Sequence, residues 1–377
     1  MIVKDALVYR EDSGFIKEDI YIHEDRIVEK GLSKDQDLVI DAGGLYAIPG
    51  LTDIHFHGCA GYDFSDGTRK ALEEITKYQA SNGITTICPA SMTLQEEDLE
   101  NIFRNASAYE GRDGAILCGI HMEGPFISKG KKGAQNEKYI HKPDIEHFKK
   151  LQKAAGELIR IVTIAPEEEG AMEFISQLKE QVVISLAHTL ADYDIAKEAF
   201  RRGARHVGHL FNAMPPFTHR APGVIGAAFD SPQCYVELIT DGVHIHPSVV
   251  RAVFKMFGHD RIVLISDSMM ATGMAAGEYS LGGQSVIVRG SRAVLADGTL
   301  AGSVSNLMEC MRNCVLDMGI PLEQAVKCAA VNPAKAIGIY DSYGSISPGK
   351  VANIVLLDQN LNIKSIILRG QFYKSSE

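Results

Sequence analysis

The central part of the chain alternates short apolar runs with amphipathic stretches, and this alternation restricts the folds that are open to it. Strands that are apolar along their whole length and alternate with helices indicate a parallel sheet with covered faces. We count eight such runs, which end within Leu51–His57, Ile84–Ala90, Ile116–Met122, Arg160–Ala165, Val182–Ala187, His206–Leu210, Tyr235–Thr240 and Arg261–Ser266. Eight strand–helix units predict an α/β fold closed into a (β/α)8 barrel of the TIM type, which needs roughly 250 residues.

A doubly wound open sheet is the alternative architecture. It is disfavoured because no GxGxxG motif follows the first predicted strands. The helices that we expect between the strands are Arg69–Ser81, Leu94–Tyr109, Asp144–Ala155, Tyr193–Arg202 and Ser248–Phe257. We therefore retain the closed barrel as the prediction.

Both ends of the chain have a different, β-rich pattern. The strands that we expect there are Met1–Tyr9, Asp19–His23, Arg26–Glu29, Asp37–Asp41, Asn353–Leu357 and Ile363–Arg369. They predict a small β-sandwich domain built from residues 1–48 and 340–377, with the barrel spanning residues 49–339. A segment rich in Gly, Val and turn residues, within 277–299, predicts a β-hairpin inserted into the barrel.

Composition excludes several classes of function. A formal net charge of −10 leaves no basic surface for DNA or RNA, and no run approaches the 18 apolar residues of a membrane span. The first residues lack the pattern of a signal peptide, and the seven cysteines are scattered. We expect a soluble, cytoplasmic protein with reduced thiols, without a nucleic-acid or membrane partner.

Residues that can bind metals or carry protons lie where several predicted strands end. The carboxyl ends of barrel strands meet at one rim, and residues i and i+2 of a strand share a face. The residues concerned are His55, His57, His121, Glu123, His188, His209 and Asp267. A single histidine in such a position is commonly a core or capping residue, but seven such residues together predict a divalent-metal site. Zinc is the ion that we expect, with iron, manganese and cobalt as alternatives.

The same stretches carry a family resemblance. The run Pro49–Gly58 resembles the first-strand signature of the amidohydrolase superfamily. Over nearly its whole length the chain resembles the N-acetylglucosamine-6-phosphate deacetylases of that superfamily. The supporting stretches are His121–Phe126, Gly208–Met214, Arg220–Gly226, Asp241–His244, Ser266–Asp267 and Leu300–Ser303. The resemblance implies hydrolysis of the acetamide of a phosphorylated amino sugar, in amino-sugar catabolism and recycling.

The resemblance also implies the ligands of the metal centre. Glu123, His188 and His209 correspond to the ligands of the principal ion. His55 and His57 are retained, so a second ion bridged by Glu123 is expected, which gives one or two ions per subunit. The open alternative is that the histidine pair is present while its position stays empty or binds weakly.

Asp267 is the residue that we expect to act as general base and acid. A divalent ion polarises the acyl oxygen and lowers the pKa of bound water. At the end of the last strand, Asp267 would accept the water's proton and return it to the departing amine. The simpler interpretation is that Asp267 only caps the next segment or binds the metal.

The resemblance implies a set of substrate contacts as well. These are Ala134, Gln135, Asn212, Ala213, Arg220, His244, Leu300, Ala301, Gly302 and Ser303. Arg220 is expected to hold the phosphate as a bidentate donor, from its own or a neighbouring subunit, so a homodimer is expected. Gln135 departs from the family pattern, because some relatives carry a histidine over the acyl oxygen there. Lys131 and Lys132 are more simply interpreted as solvated loop charges.

Three alternatives remain open at this point. A deacetylase for N-acetylgalactosamine 6-phosphate would differ at one sugar hydroxyl, and no residue in the sequence decides between the two sugars. A cyclic-amide hydrolase of the dihydroorotase type is disfavoured, because no lysine stands at the bridging position. A barrel without catalysis, used as a scaffold, is disfavoured because the expected ligands and Asp267 are all present.

Overall fold

The centre of the molecule is a ring of eight parallel strands. The computed structural model describes residues 1–30 and 38–375. The strands of the ring, numbered 1 to 8 in chain order, are Leu51–Asp53; Ile84–Ile87 with Ala90–Ser91; Ile116–Leu117 with Ile120–Met122; Ile159–Ile164; Val183–Leu186; His206–Val207; Tyr235–Ile239; and Ile262–Ile265. Six lie within the predicted runs, and strands 2 and 4 extend one residue beyond them, to Ser91 and Ile159.

The strands follow one another round the ring in chain order. Every recorded pairing between neighbours is parallel, from strand 1 with strand 2 to strand 7 with strand 8. Backbone hydrogen bonds from Asp267 to His55 (N–O 2.9 Å) and from His57 to Ser268 (N–O 2.7 Å) connect the end of strand 8 to the end of strand 1. The arrangement is that of a TIM-type barrel.

Helices cover the outer side of the ring. Their bounds are Arg69–Ser81, Glu96–Ser107, Ile145–Ala154, Ala171–Leu178, Tyr193–Arg202, Gly223–Phe229, Pro247–Phe257, Leu307–Leu316, Leu322–Val326 and Asn332–Ala336, with a π-helical turn at Lys327–Val331 and 3-10 turns at Phe64–Asp66, Lys129–Lys131 and Glu137–Tyr139. The five predicted helices are present, each within about two residues of its predicted bounds. Capping explains two of these boundaries, because the side chains of Thr68 and Asp192 accept hydrogen bonds from Ala71 N and Ile195 N.

A second sheet is assembled from both ends of the chain. Its eight strands are Ile2–Arg10, Gly14–His23, Arg26–Val28, Val39–Asp41, Tyr46–Pro49, Ile354–Leu357, Ile363–Leu368 and Gln371–Ser375. The C-terminal strand Ile354–Leu357 joins the two halves by antiparallel pairing with Tyr46–Pro49. The first residue of the predicted strand Asp37–Asp41 lies outside the described residues.

This terminal sheet has an apolar core of its own, which includes Val3, Val8, Ile20 and Ile354. Its strands are hydrogen-bonded into one continuous sheet. A separate sandwich domain with boundaries at residues 48 and 340 stays a prediction.

The insertion after strand 8 differs from the predicted hairpin. It forms three antiparallel strands, Gly277–Leu281, Gln284–Arg289 and Arg292–Val294. The third strand forms because Gly290 takes a left-handed φ of 59° and turns the chain back once more. A short hairpin, Gly58–Cys59 with Tyr62–Asp63, follows strand 1. The insertion packs on Met92, Met269 and Ala301, beside the carboxyl ends of the barrel strands.

Among the described residues, no helix is both long enough and apolar enough to cross a bilayer. All seven cysteines are free thiols, and six of them are buried.

Candidate metal centre and active site

The predicted metal-binding residues lie at the carboxyl ends of the barrel strands. Glu123 directly follows strand 3, while His188, His209 and Asp267 each stand two residues beyond strands 5, 6 and 8. These three take left-handed φ angles of 47°, 25° and 48°. Such angles are uncommon for residues with a side chain and cost of order 1–3 kcal/mol each. The chain turns sharply where each strand ends, at the positions of these three side chains.

Glu123 is the centre of the cluster. Its Oε1 lies 3.1 Å from the Nε2 atoms of His55, His188 and His209. Its Oε2 lies 3.3 Å from His57 Nε2, which in turn lies 3.4 Å from Asp267 Oδ1. The structure thus brings six of the seven predicted residues together. The seventh, His121, packs its ring on His55 at a centroid distance of 4.3 Å, and its Nε2 lies 2.8 Å from Thr163 Oγ1.

In three histidines, the contact that Nδ1 makes determines which ring nitrogen carries the proton. His188 Nδ1 lies 2.9 Å from Lys131 O, His57 Nδ1 lies 3.2 Å from Ala90 O, and His55 Nδ1 lies 2.7 Å from Glu237 Oε2. Because an oxygen acceptor takes the proton on Nδ1, Nε2 is the nitrogen that binds a metal once the ring is neutral, and in all three histidines it faces Glu123. Metal-binding histidines are held in this way in proteins generally.

The spacing of the donor atoms fits a divalent ion. His188 Nε2 and His209 Nε2 lie 3.1 Å apart. Two nitrogens at about 2.0–2.1 Å from one tetrahedral ion are about 3.3 Å apart. Among the described residues, three groups have potential ligand atoms within 4.8 Å of one another: His55 with Glu123 and His209, His55 with His57 and Asp267, and His55 with His121 and Glu237. The residues therefore fit one principal ion and a second one beside it.

The electrostatics of the cluster favour bound cations. Burial raises the pKa of the Glu123 carboxyl, but the charge of His55 and hydrogen bonds from the other histidines hold it well below its usual value. Burial likewise raises the pKa of Asp267, and the hydrogen bond from His57 outweighs that effect and lowers it. Burial lowers the pKa of His57, yet Asp267 and Glu123 raise it to about 10. The carboxylates stay ionised near neutral pH and attract positive charge.

A cavity of about 530 Å³ opens above the cluster. His57, Glu123, His188, His209 and Asp267 form part of its wall. The predicted substrate contacts that line it are Ala134, Gln135, Asn212, Ala213, His244, Leu300 and Gly302. This volume is in the usual range for a small-molecule site.

Three predicted substrate contacts lie elsewhere. Arg220 is exposed and outside the lining of the cavity. Ala301 packs in the core beneath the insertion, and Ser303 is buried with its hydroxyl 2.6 Å from Ser266 O. Ala301 and Ser303 therefore support the rim of the cavity from behind.

Gln135 is bound to the ligand carboxylate. Its Nε2 donates to Glu123 Oε2 at 2.6 Å, and its Oε1 accepts from Thr93 N at 2.7 Å. Both ends of the amide are therefore used in holding Glu123. An amide can donate and accept here but carries neither a proton nor a charge to the substrate.

The structure also identifies residues that the sequence analysis missed. Glu237 lies on strand 7, is fully buried and contacts His55. A lone carboxylate in the apolar run Tyr235–Ile239 is itself a signal, because a buried charge requires partners. Lys129, Lys131 and Lys132 line the cavity, although two of them were expected to be solvated. Asp241 accepts a 2.7 Å hydrogen bond from His244 Nδ1.

Comparisons with known proteins agree with this geometry. The model of the amidohydrolase family matches residues 46–373. An N-acetylglucosamine-6-phosphate deacetylase of Bacillus subtilis (strain 168) is 40% identical over 329 residues, which cover 86% of this chain and 83% of that protein. An N-acetylgalactosamine-6-phosphate deacetylase of Escherichia coli O157:H7 is 33% identical over 326 residues and 86% of each chain.

A solved structure resembles the chain over its full length. It is a mutant N-acetyl-D-glucosamine-6-phosphate deacetylase from Mycobacterium smegmatis in complex with N-acetyl-D-glucosamine-6-phosphate. The TM-score is 0.93 at 32% identity, covering 100% of this chain and 99% of that one. Together with the metal-binding cluster at the strand ends, these matches show that the chain belongs to the amidohydrolase family, among the N-acetylglucosamine-6-phosphate deacetylases.

Proposed function

We propose that this chain hydrolyses the acetamide of N-acetyl-D-glucosamine 6-phosphate to glucosamine 6-phosphate and acetate. The observation that carries the proposal is the convergence of Glu123, His188, His209 and Asp267 at the floor of one cavity. That arrangement occurs in a chain 40% identical to a deacetylase of this substrate. The family and the site together support a hydrolase acting on a linear amide in amino-sugar metabolism.

Glu123, His188 and His209 would hold the principal ion, and His55 and His57 a second one with Glu123 between them. When bound, a divalent ion polarises an acyl oxygen and lowers the pKa of water. Imidazole and carboxylate ligands suit zinc, which we expect, as well as iron, manganese and cobalt.

Asp267 would move the proton of the reaction. Its Oδ1 faces His57 Nε2 at 3.4 Å, and its carboxylate is ionised near neutral pH. As the water oxygen bonds to the acyl carbon, Asp267 accepts the water's proton. It then returns that proton to the amine nitrogen as the carbon–nitrogen bond breaks, so acetic acid and a neutral amine leave. At neutral pH the acid then loses its proton to give acetate, and the amine takes one up.

The walls of the cavity would hold the sugar phosphate. Its lining includes Asn212, Ala213, His244, Ala134, Leu300 and Gly302, all of which were predicted as substrate contacts. His244 is held by Asp241, and that hydrogen bond outweighs the effect of burial and raises the pKa of the imidazole. A more basic imidazole favours the cationic form that a phosphate prefers.

Arg220 would act across a homodimer. It lies outside the cavity of its own subunit, on an exposed loop that also carries Phe217, an aromatic side chain that is 46% exposed. Arg220 has no ion-pair partner among the described residues. An exposed aromatic side chain next to such a cation is typical of a subunit interface. A dimer would place this guanidinium at the partner's cavity.

N-acetylgalactosamine 6-phosphate is the second candidate substrate. A deacetylase of that sugar is 33% identical to this chain, close to the identity of several glucosamine-type relatives. The two sugars share the acetamide and the phosphate, so both fit the metal-binding and charged parts of the site.

Steady-state kinetics on metal-loaded protein test the proposal. We expect the highest kcat/KM for N-acetylglucosamine 6-phosphate, a lower value for the galactosamine epimer, and at least a tenfold loss, about 1.4 kcal/mol, when the phosphate is removed. An epimer preference in the other direction would favour the second candidate. Equal rates with and without phosphate would contradict a phosphate clamp, and no acetate release from any of them would contradict the function.

A further inference from the structure

Glu237 is a buried carboxylate directly beneath the metal cluster. It lies on strand 7 between Val236 and Leu238, and its side chain is fully buried. Burying an unpaired carboxylate costs several kcal/mol, so the groups that contact Glu237 indicate what it does. The partners of its Oε2 are residues of the metal cluster, while its Oε1 lies 3.7 Å from His206 Nε2.

One oxygen of Glu237 contacts two histidines of the cluster. Oε2 lies 2.7 Å from His55 Nδ1, and it also accepts a 2.9 Å hydrogen bond from the backbone N of His209. His209 is one of the residues that take a left-handed φ. Glu237 therefore connects the side chain of a strand 1 ligand to the backbone of a strand 6 ligand.

His55 differs from the other histidines in its Nδ1 partner. His57 and His188 use backbone carbonyls, whereas His55 uses a carboxylate. On its other side, His55 Nε2 lies 3.1 Å from Glu123 Oε1. A carboxylate behind a histidine orients the ring and makes it a stronger ligand than a neutral carbonyl does.

The net charge of the cluster also favours a second metal ion. Glu123, Glu237 and Asp267 bring three carboxylates into a nearly dry space. When the histidines are neutral, one divalent ion leaves these three carboxylates with a net charge of −1. That remaining negative charge attracts a further cation, and Glu237 lies behind His55, where such a cation would be held.

We propose that Glu237 is a positioning residue for the second metal ion, acting through His55. It holds His55 with the Nε2 lone pair directed at the position shared with His57. This inference rests on the metal centre of the proposed function. It predicts that the ion at the His55/His57 position depends on Glu237 more strongly than the ion held by Glu123, His188 and His209.

Metal content in chelator-buffered zinc or cobalt solutions tests the proposal. The wild-type chain is expected to bind two ions. Glu237→Gln keeps the size of the side chain but removes the charge, and should weaken the second ion about 10–100-fold while the first stays bound. Glu237→Asp, which keeps the charge, should weaken it less.

Two further variants separate positioning from a structural role. Thr86→Val removes a buried hydrogen bond, 2.6 Å between the hydroxyls of Thr86 and Thr52, that touches no proposed ligand, and should leave both ions bound. Combining Glu237→Gln with His55→Asn should weaken the second ion no more than His55→Asn alone, because the two act as one unit.

Several outcomes would overturn the proposal. The proposal fails if the wild-type chain binds a single ion, or if Glu237→Gln binds the second ion as tightly as the wild type does. It also fails if Glu237→Gln weakens both ions equally, or if the effects of Glu237→Gln and His55→Asn add in the double variant. A one-ion chain that still releases acetate would leave the proposed function intact and remove only this inference.

Discussion

At the scale of single residues, the site depends on side chains whose neighbours restrict them to one protonation state and one direction. The Nδ1 contacts of His55, His57 and His188 leave their Nε2 atoms free for a metal. Asp267 faces His57 at the wall of the cavity. Glu123 also lies beside the histidines and at the cavity wall, but the proposal assigns it to the metal ions, which leaves Asp267 to move the proton.

Replacing Asp267 by asparagine tests its proposed role. The amide has nearly the same shape but cannot accept the water's proton, so kcat should fall by about 10²–10⁴-fold. Metal content and melting temperature should stay near wild type. Steady-state kinetics, elemental analysis and thermal unfolding measure these three quantities.

Asp297→Asn is the matched control, because that carboxylate also lines the cavity but lies away from the histidines. It should retain most of the activity. Near-normal turnover of Asp267→Asn would show that another group moves the proton.

The site was predictable from sequence where a residue type and a strand end coincide. Glu123, His188, His209 and Asp267 could be placed in one cluster for that reason, whereas their roles came from the family resemblance and stay predictions. Glu237 could not, because nothing in the letters Tyr-Val-Glu-Leu-Ile reveals that His55, 182 residues earlier in the chain, meets it across the barrel. Arg220 could be named from its motif, but its distance from the cavity depends on how residues 211–222 fold.

At the scale of elements, the barrel strands were predictable because each is a continuous apolar run bounded by polar residues. The helix Ala171–Leu178 was missed since it has eight residues and begins after Gly170 without a side-chain cap. The third strand of the insertion depends on a turn at Gly290, which composition alone does not distinguish from a loop.

The terminal sheet and the barrel meet at Glu11. Its carboxylate forms an ion pair with Lys335, accepts a 2.7 Å hydrogen bond from Tyr340 Oη, and lies 3.6 Å from Lys327 Nζ. Burial raises the pKa of Glu11, but the hydrogen bonds from Lys335 and Tyr340 hold it below its usual value. Because the pKa is lower in the folded state, the ionised carboxylate stabilises the fold.

Glu11→Gln should therefore lower the melting temperature at pH 7. The contribution is fully present above the ordinary pKa of 4.5 and is lost as the pH falls through the lower folded value. Thermal unfolding from pH 7 downward should show the gap between variant and wild type closing below pH 4.5. Asp12→Asn, at the exposed neighbouring residue, is the control and should show no gap. A gap that is independent of pH would contradict this account of the junction.

At the scale of the whole molecule, we propose that two subunits complete one site. The chain has a net charge of −10, so a phosphorylated substrate needs local cations. His244 and three lysines line the cavity from within, and Arg220 would come from the partner.

Mixing two inactive variants tests whether Arg220 acts across a dimer. In a mixed dimer of Arg220→Ala and Asp267→Asn, one of the two sites keeps both intact residues. Random exchange of subunits at equal amounts should therefore restore about a quarter of wild-type activity. Each variant alone should stay low, and activity should rise with the time allowed for subunit exchange. No recovery in a verified mixed dimer would mean that Arg220 serves its own subunit or plays no part in binding.

The most direct test of the central claim is acetate release from N-acetylglucosamine 6-phosphate by protein stripped of metal. The carboxylates and imidazoles around Glu123 are arranged to hold divalent ions, and the proposed chemistry depends on them. We expect stripped protein to remain folded, to release acetate no faster than the buffer control, and to recover on addition of zinc, iron, manganese or cobalt. Full activity in protein with no detectable metal would contradict the account.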